Sequence, residues 1–129
     1  MSTSKTGPIA IEQCPCSGRN LDKLLHAAIL ILLLDESLHG YELLHRLAEL
    51  KMFQERPPDP TGVYRLIRRM EKDGLVRATT ESSMAGPAKR SIQLTAAGRR
   101  CLRRWQETLK DFQAAIGELL QMTQADRRH

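Results

Sequence analysis

The longest apolar stretch of the chain is "AAILILLL" at 27–34. It predicts a first helix that begins with Asn20 as the N-cap and ends near Leu34. Because this stretch is apolar on all sides, we expect the helix to be buried on more than one face. The run is much shorter than the roughly twenty residues that a membrane-spanning helix needs, so the sequence predicts no membrane segment there.

A second helix is predicted after the turn "DESLHG" at 35–40. Its segment, "YELLHRLAEL" at 41–50, places leucines at helical spacing, namely Leu43, Leu44, Leu47 and Leu50. The proline-rich segment at 55–60 then stops any helix, because proline lacks the donor N–H and clashes with the preceding turn.

A third helix is predicted from Asp59 as N-cap and Pro60 as first helical residue to about Asp73, with Gly74 as a left-handed C′ residue. Its apolar positions form one stripe: Val63, Leu66, Ile67 and Met70. Its opposite face is polar and mostly basic: Thr61, Arg65, Arg68, Arg69 and Lys72. Tyr64 lies at the boundary between the two faces.

Two short strands, at 75–80 and 90–94, are predicted to form a hairpin. The polar loop between them contains the turn signal Gly86-Pro87. Thr95 is then the predicted N-cap of a long last helix. Its apolar residues alternate spacings of four and three, as in a heptad seam that pairs with another helix: Gly98, Leu102, Trp105, Leu109, Phe112, Ile116 and Leu119.

The basic charge is concentrated in the middle of the chain. The 129 residues carry a net charge of +5, and segment 56–104 alone has twelve Lys and Arg against four Asp and Glu, a net +8. A basic region favours an anionic partner such as nucleic acid. The size is that of one domain, whose core is often completed by a partner subunit.

The order of elements predicts a winged helix-turn-helix: mostly α, with a small β-hairpin and a long C-terminal helix. The third helix would pack one side on its own domain and turn its basic side to the major groove. Arginine suits this role because its planar fork binds phosphate or guanine in a bidentate manner. Lys89 and Arg90, at the foot of the hairpin, would reach the neighbouring DNA backbone or minor groove.

Three segments, taken together, resemble the PadR family of transcriptional regulators: "LHGYELLHRLAEL" at 38–50, "DPTGVYRLIRRMEKDGLV" at 59–76 and "GPAKRSIQLTAAGRRCL" at 86–102. They stand in the family's order and at fitting distances, and the likeness covers about residues 24–105. The resemblance implies a homodimer joined through the first and last helices. It also implies repression at a palindromic operator, with release by an unknown small-molecule or metal effector.

The resemblance also identifies site residues. Thr61, Gly62, Tyr64, Arg65 and Arg68 match the family's recognition helix, and His39, Gly40 and Tyr41 match the start of its second helix. We expect Gly40 to act as a capping residue and Tyr41 to reach a phosphate. The predicted DNA-binding set is Tyr41, Thr61, Gly62, Tyr64, Arg65, Arg68, Arg69, Lys72, Lys89 and Arg90. The predicted dimerisation set is Leu102, Trp105, Leu109, Phe112, Ile116 and Leu119.

The pair Cys14-Pro15-Cys16 is open to three interpretations. The thiols are ordinary exposed groups, or they bind a thiophilic metal with Cys101 or another residue as a further ligand, or they form a redox switch or haem contact. Cys101 itself is more often a small buried apolar residue than a ligand. No apolar leader precedes the arm, so the expected location is a reducing cytoplasm.

No catalytic constellation is present in the sequence, which predicts a protein that is not an enzyme. The expected organisation is a flexible arm at 1–19, a winged-helix DNA-binding domain at 20–94 and a dimerisation helix with its tail at 95–129. A second hypothesis is a winged-helix module that binds an acidic protein surface instead of specific DNA. The shared basic character of the third helix and the hairpin foot argues for DNA.

Overall fold

The computed structural model describes residues 23–81, 86 and 89–127, and it is mostly helical with one small sheet. Eight elements follow one another in these described ranges. They are α1 (Leu25–Leu32), β1 (Leu38–His39), α2 (Gly40–Glu49), a 3-10 turn (Lys51–Phe53), α3 (Pro60–Lys72), β2 (Val76–Glu81), β3 (Lys89–Leu94) and α4 (Ala96–Arg127). This order confirms the winged helix-turn-helix with a long last helix.

The core forms around α1, whose Ile29 and Leu30 are completely buried. Leucines from α2, the stripe of α3 and one residue from each hairpin strand pack around them: Leu43, Leu47, Val63, Ile67, Met70, Val76 and Ile92. The apolar surface of α1 on more than one side is therefore covered by several elements, as the continuous apolar run predicts.

Helix α1 ends earlier than the sequence predicts. Its last helical residue is Leu32, two residues before the predicted end near Leu34, because Leu33 and Leu34 already lie in the turn. The amide of Leu34 donates a hydrogen bond to the carbonyl of Ile31, three residues earlier, so the helix ends in a turn of the 3-10 type. The predicted N-cap Asn20 lies outside the described residues.

A two-residue strand, β1, completes the sheet and was not predicted from the sequence. The three strands are antiparallel in the order β1-β3-β2. Ile92 of the central strand β3 lies opposite Leu38 of β1 on one side and opposite Ala78 of β2 on the other. The sheet therefore joins the start of α2 directly to the hairpin. This connection brings residues near 39 to the foot of the wing.

Helix α4 begins as predicted at Thr95. The Thr95 hydroxyl accepts a 3.0 Å hydrogen bond from the amide of Gly98, the N-cap contact expected for threonine. The first turns of α4 pack on α1, and every side chain described from 110 to 124 is exposed. Among the described residues, no helix has the length and apolar character needed to cross a bilayer.

Candidate nucleic-acid interface

Helix α3 has one buried face and one basic exposed face. Its start is fixed by Asp59, whose side chain accepts a 3.0 Å hydrogen bond from the amide of Gly62, with Pro60 as the first helical residue. Its end is fixed by Gly74, whose φ of 81° lies in the left-handed region that favours glycine. The five predicted outward residues are all exposed: Thr61, Arg65, Arg68, Arg69 and Lys72.

Tyr64 connects α3 to the start of α2. Its side chain is 38% exposed, which confirms its predicted position at the boundary of the two faces. A Cβ atom on Gly40 would lie 2.8 Å from Cε1 of Tyr64. The prediction that Gly40 is a capping residue is wrong, because His39 is the N-cap of α2 and Gly40 is its first helical residue. The glycine lets the tyrosine ring approach the α2 backbone closely.

The cations of this surface fall into two groups. Arg69 lies 3.5 Å from the carboxylate of Asp73, one turn along α3, and Arg90 donates bonds of 3.0 and 3.2 Å to the two carboxylate oxygens of Glu71. No ion pair or side-chain hydrogen bond joins Arg65, Arg68 or Lys72 to another residue of the described part of the chain. These three charges project from α3 and are available to an anionic partner.

The ends of the two hairpin strands that adjoin their connecting loop, which we call the wing foot, consist of Glu81 at the end of β2 and Lys89 and Arg90 at the start of β3. The Nζ atom of Lys89 lies 5.8 Å from the centroid of the Tyr41 ring, within the range of a cation–π contact. Tyr41 is exposed, and it belongs to the predicted DNA-binding set. The structure thus brings Tyr41 and Lys89 together, as neighbours on one surface.

His39 matches the start of the family's second helix in sequence, but it is not in the predicted DNA-binding set. Its ring stacks on Tyr41 with centroids 5.7 Å apart and planes 2° from parallel. Its Nδ1 and Nε2 lie 3.0 Å from Glu42 and 2.8 Å from Glu81, respectively. The hydrogen bond with Glu81, supported by Glu42, raises the pKa of His39 above its usual value. The partner Glu81 is 42 positions away, so spacing along the chain gave no signal for this contact.

A cleft of about 310 Å³ separates α3 from the sheet. Arg68 and Arg90 are among its lining, and the other residues are mostly apolar: Gly40, Tyr64, Ile67, Ala78 and Ile92. Arg68 of the basic face of α3 and Arg90 of the wing foot therefore border the same cleft.

The predicted dimerisation residues divide into two groups. Leu102 and Trp105 pack against the core of their own chain, and Leu109 is half-buried. Further along α4, Phe112, Ile116 and Leu119 are 46%, 64% and 62% exposed. Leu120 and Met122 extend this exposed apolar surface. The heptad pattern therefore serves the chain's own α1 in its first half and leaves its second half uncovered.

The cysteines lie in different parts of the chain. Cys14 and Cys16 lie outside the described residues. Cys101 is a half-buried free thiol that borders a shallow cavity with Arg104, Trp105 and Thr108. Within the described ranges, no group of three or more His, Cys, Asp or Glu side chains is arranged to hold a metal ion.

Comparison with protein families matches residues 29–104 to the Transcriptional regulator PadR-like family. Among solved structures, a PadR-like regulator from Bacillus cereus is 25% identical with a TM-score of 0.68, covering 80% of this chain and 97% of its own. A transcriptional regulator described as putative, from Thermoplasma acidophilum, is 25% identical with a TM-score of 0.65, covering 81% and 95%.

Bacillus subtilis PadR, in a structure with operator DNA, is 24% identical with a TM-score of 0.58, covering 65% of this chain and 46% of its own. The comparison with curated proteins gave no match.

Proposed function

Because this chain belongs to the PadR-like family of transcriptional regulators, we propose that it is a cytoplasmic homodimer that binds double-stranded DNA in a sequence-specific manner. Members of this family are transcriptional regulators and not enzymes. The observation that carries the proposal is the exposed basic face of α3 beside the wing foot. Helix α3 would enter the major groove, while Lys89 and Arg90 contact the adjacent backbone.

The exposed residues have different roles in this proposal. Arg68 and Arg65, which have no side-chain partner among the described residues, would reach base edges or phosphates without first breaking an ion pair. Thr61, Gly62 and Tyr64 lie on the first turns of α3, the part of a recognition helix that approaches the bases. Arg69, Lys72, Lys89, Arg90 and Tyr41 would contact the sugar-phosphate backbone.

The proposed dimer rests on the uncovered half of α4. An apolar stripe of five large side chains is unusual on the surface of a monomer and marks a contact surface. A second copy with the same heptad seam is the matching occupant. Two recognition helices related by a two-fold axis would bind half-sites about one helical turn apart, so the operator would be palindromic.

The proposal also covers how DNA binding regulates transcription. We infer that the dimer represses transcription at such an operator and is released by an effector. The Bacillus subtilis relative in complex with operator DNA supports DNA binding as the activity of this fold. An effector that changes the distance between the two recognition helices would alter affinity, because the half-site spacing is fixed by the DNA.

The test has two steps. Duplexes that bind are first selected from a random library, and the selected sequence is examined for an inverted repeat. Affinity for that duplex is then measured by fluorescence anisotropy between 50 and 200 mM salt. If the dimer contacts about six to ten phosphates, affinity falls by about 10³ to 10⁵ over this range. Recovery of no enriched sequence, together with affinity that does not change with salt, would favour the protein-binding module instead.

A further inference from the structure

The ring of His39 lies between two carboxylates at the junction of β1 and α2. Nδ1 is 3.0 Å from Oε1 of Glu42, and Nε2 is 2.8 Å from Oε1 of Glu81. A neutral imidazole has one N–H donor and one acceptor nitrogen, whereas an ionised carboxylate only accepts. Both contacts can be hydrogen bonds at the same time only when His39 is the imidazolium and donates from both nitrogens.

Glu42 is held in its ionised form. Its Oε1 accepts a 2.8 Å hydrogen bond from the backbone N–H of His39, and this bond is the main reason that the pKa of Glu42 is lowered. The His39 ring and the charge of Arg46 lower it further. The proton shared between the two side chains therefore belongs to His39.

His39 contacts both strands of the hairpin at the wing foot. It binds Glu81 of β2 directly, and through the stacked ring of Tyr41 it adjoins Lys89 of β3. Glu81 and Lys89 are opposite each other in the register of the two strands. They are the residues at which β2 ends and β3 begins. A contact that holds this pair therefore holds the adjoining ends of both strands.

A second ion pair holds the hairpin on the other side. Arg90 of β3 binds Glu71 of α3. The hairpin is thus tied to α3 by an arginine–carboxylate pair and to α2 by a histidine that lies between two carboxylates.

We propose that His39 is the positioning residue that fixes the wing foot against the start of α2, that it does so as the imidazolium, and that duplex binding is therefore linked to proton uptake at His39. The linkage to duplex binding rests on the proposed function. The contact that fixes the wing foot against α2 does not rest on the proposed function, because it is a property of the free protein.

The direction of the effect follows from the charges around the ring. The ring contacts Tyr41 and Glu42 from α2 and Glu81 from β2. From β3, Ser91 lies opposite His39 in the strand register, and Lys89 lies over the ring of Tyr41. The imidazole of His39 is a group that gains or loses its proton near neutral pH. When His39 loses its proton, one carboxylate loses its donor and the net charge of the surface becomes more negative. Both changes weaken binding to phosphates, so affinity falls as pH rises through the pKa of His39, which lies above the ordinary value of about 6.5.

The first experiment uses the free protein. The histidine ring signals and the backbone amides of Glu81 and Lys89 are followed by NMR from about pH 5.5 to about pH 8.5. We expect the His39 midpoint to lie above that of an unperturbed histidine, and both amides to shift with the same midpoint. Glu81→Gln, at an exposed position, should lower the midpoint, whereas Glu71→Gln should leave it unchanged. An ordinary midpoint, or amides that do not follow it, would overturn the proposal.

The second experiment measures duplex affinity over the same pH range at constant salt. We expect affinity to fall with rising pH by up to about tenfold per pH unit for each linked proton, and thus by up to about a hundredfold for a dimer with one His39 in each subunit. The pH dependence should be lost in His39→Gln and reduced in Glu81→Gln, and it should persist in Glu71→Gln. A parent protein that binds DNA with the same affinity at all pH values would overturn the linkage. Absence of binding at every pH and salt concentration would instead contradict the proposed function, while the NMR titration still decides whether His39 fixes the wing foot.

Discussion

The indole N–H of Trp105 donates a 3.0 Å hydrogen bond to Nδ1 of His26, and this bond joins the last helix to the first. The two rings are 5.9 Å apart, with 36° between their planes. Since Nδ1 accepts, the ring must be neutral with its proton on Nε2. Burial lowers the pKa of His26, and the negative charge of Asp73 opposes this effect only partly. This hydrogen bond between α1 and α4 therefore requires an uncharged histidine.

Replacing Trp105 with Phe should destabilise the protein. The ring still fills most of the space, but the hydrogen bond is lost and Nδ1 of His26 is left without its donor. We expect the free energy of unfolding to fall by about 1 kcal/mol. Chemical denaturation at fixed protein concentration measures this change. In a His26→Ala background the same substitution should cost less, and an equal cost in both backgrounds would mean that the hydrogen bond contributes nothing.

Stability should also depend on the protonation of His26. A histidine whose pKa is lowered in the folded state takes up protons more readily when unfolded, so it removes stability as pH falls below about 6.5. His39, whose pKa is raised, contributes in the opposite direction, and its extra stability is lost as pH rises through that raised value.

The informative measurement is thus the unfolding free energy of the parent and of His26→Gln at about pH 7 and about pH 5. The parent should lose more stability on acidification than the variant. Equal losses would show that His26 does not titrate differently in the folded state.

Two glycines of α4 should respond oppositely to alanine. A Cβ on Gly98 would overlap the backbone carbonyl oxygen of Leu75, which cannot move away as a side chain can, whereas Gly117 has open space around it. We expect Gly98→Ala to cost about 2 kcal/mol or more and Gly117→Ala to add up to about 1 kcal/mol. Thermal or chemical unfolding compares the pair directly. If Gly98→Ala were as stable as the parent, the close packing of α4 on the β2 side would be incorrect.

The exposed half of α4 allows a matched test of the proposed dimer. Ile116→Glu puts a charge in the apolar stripe, and Gln121→Glu adds the same charge on the polar side of the same helix. Sedimentation at micromolar concentration should show a dimer for the parent and for Gln121→Glu. Ile116→Glu should sediment as a species near 14.6 kDa. A parent that sediments as a monomer would contradict the proposed assembly.

Local sequence signals were sufficient for the elements with strong end signals. Asp59 and Pro60 start α3, Gly74 ends it and Thr95 caps α4, because each of these depends on residues within four positions. The buried stripe of α3 was also predictable, since helical periodicity selects Val63, Ile67 and Met70.

Contacts between distant positions were not predictable in this way. The strand β1 consists of two residues, and it exists because β3 offers an unpaired edge to Leu38 and His39. The place of Gly40 depends on Tyr64 of another helix, and the charge of His39 depends on Glu81 of the hairpin. The sequence also could not predict that the heptad seam divides at Leu109. The same apolar spacing is suited both to packing on α1 and to pairing with a second copy.

The proposed regulator binds DNA through α3. The most direct measurement is the affinity for the selected duplex of Arg68→Ala and of Lys110→Ala, each of which removes one exposed positive charge. Lys110 lies on α4, paired with Glu107 and outside the proposed interface. We predict that Arg68→Ala weakens binding by about 1–3 kcal/mol and reduces discrimination at one base pair, while Lys110→Ala binds like the parent. Equal affinities for the two variants and the parent would contradict the assignment of α3 as the recognition helix.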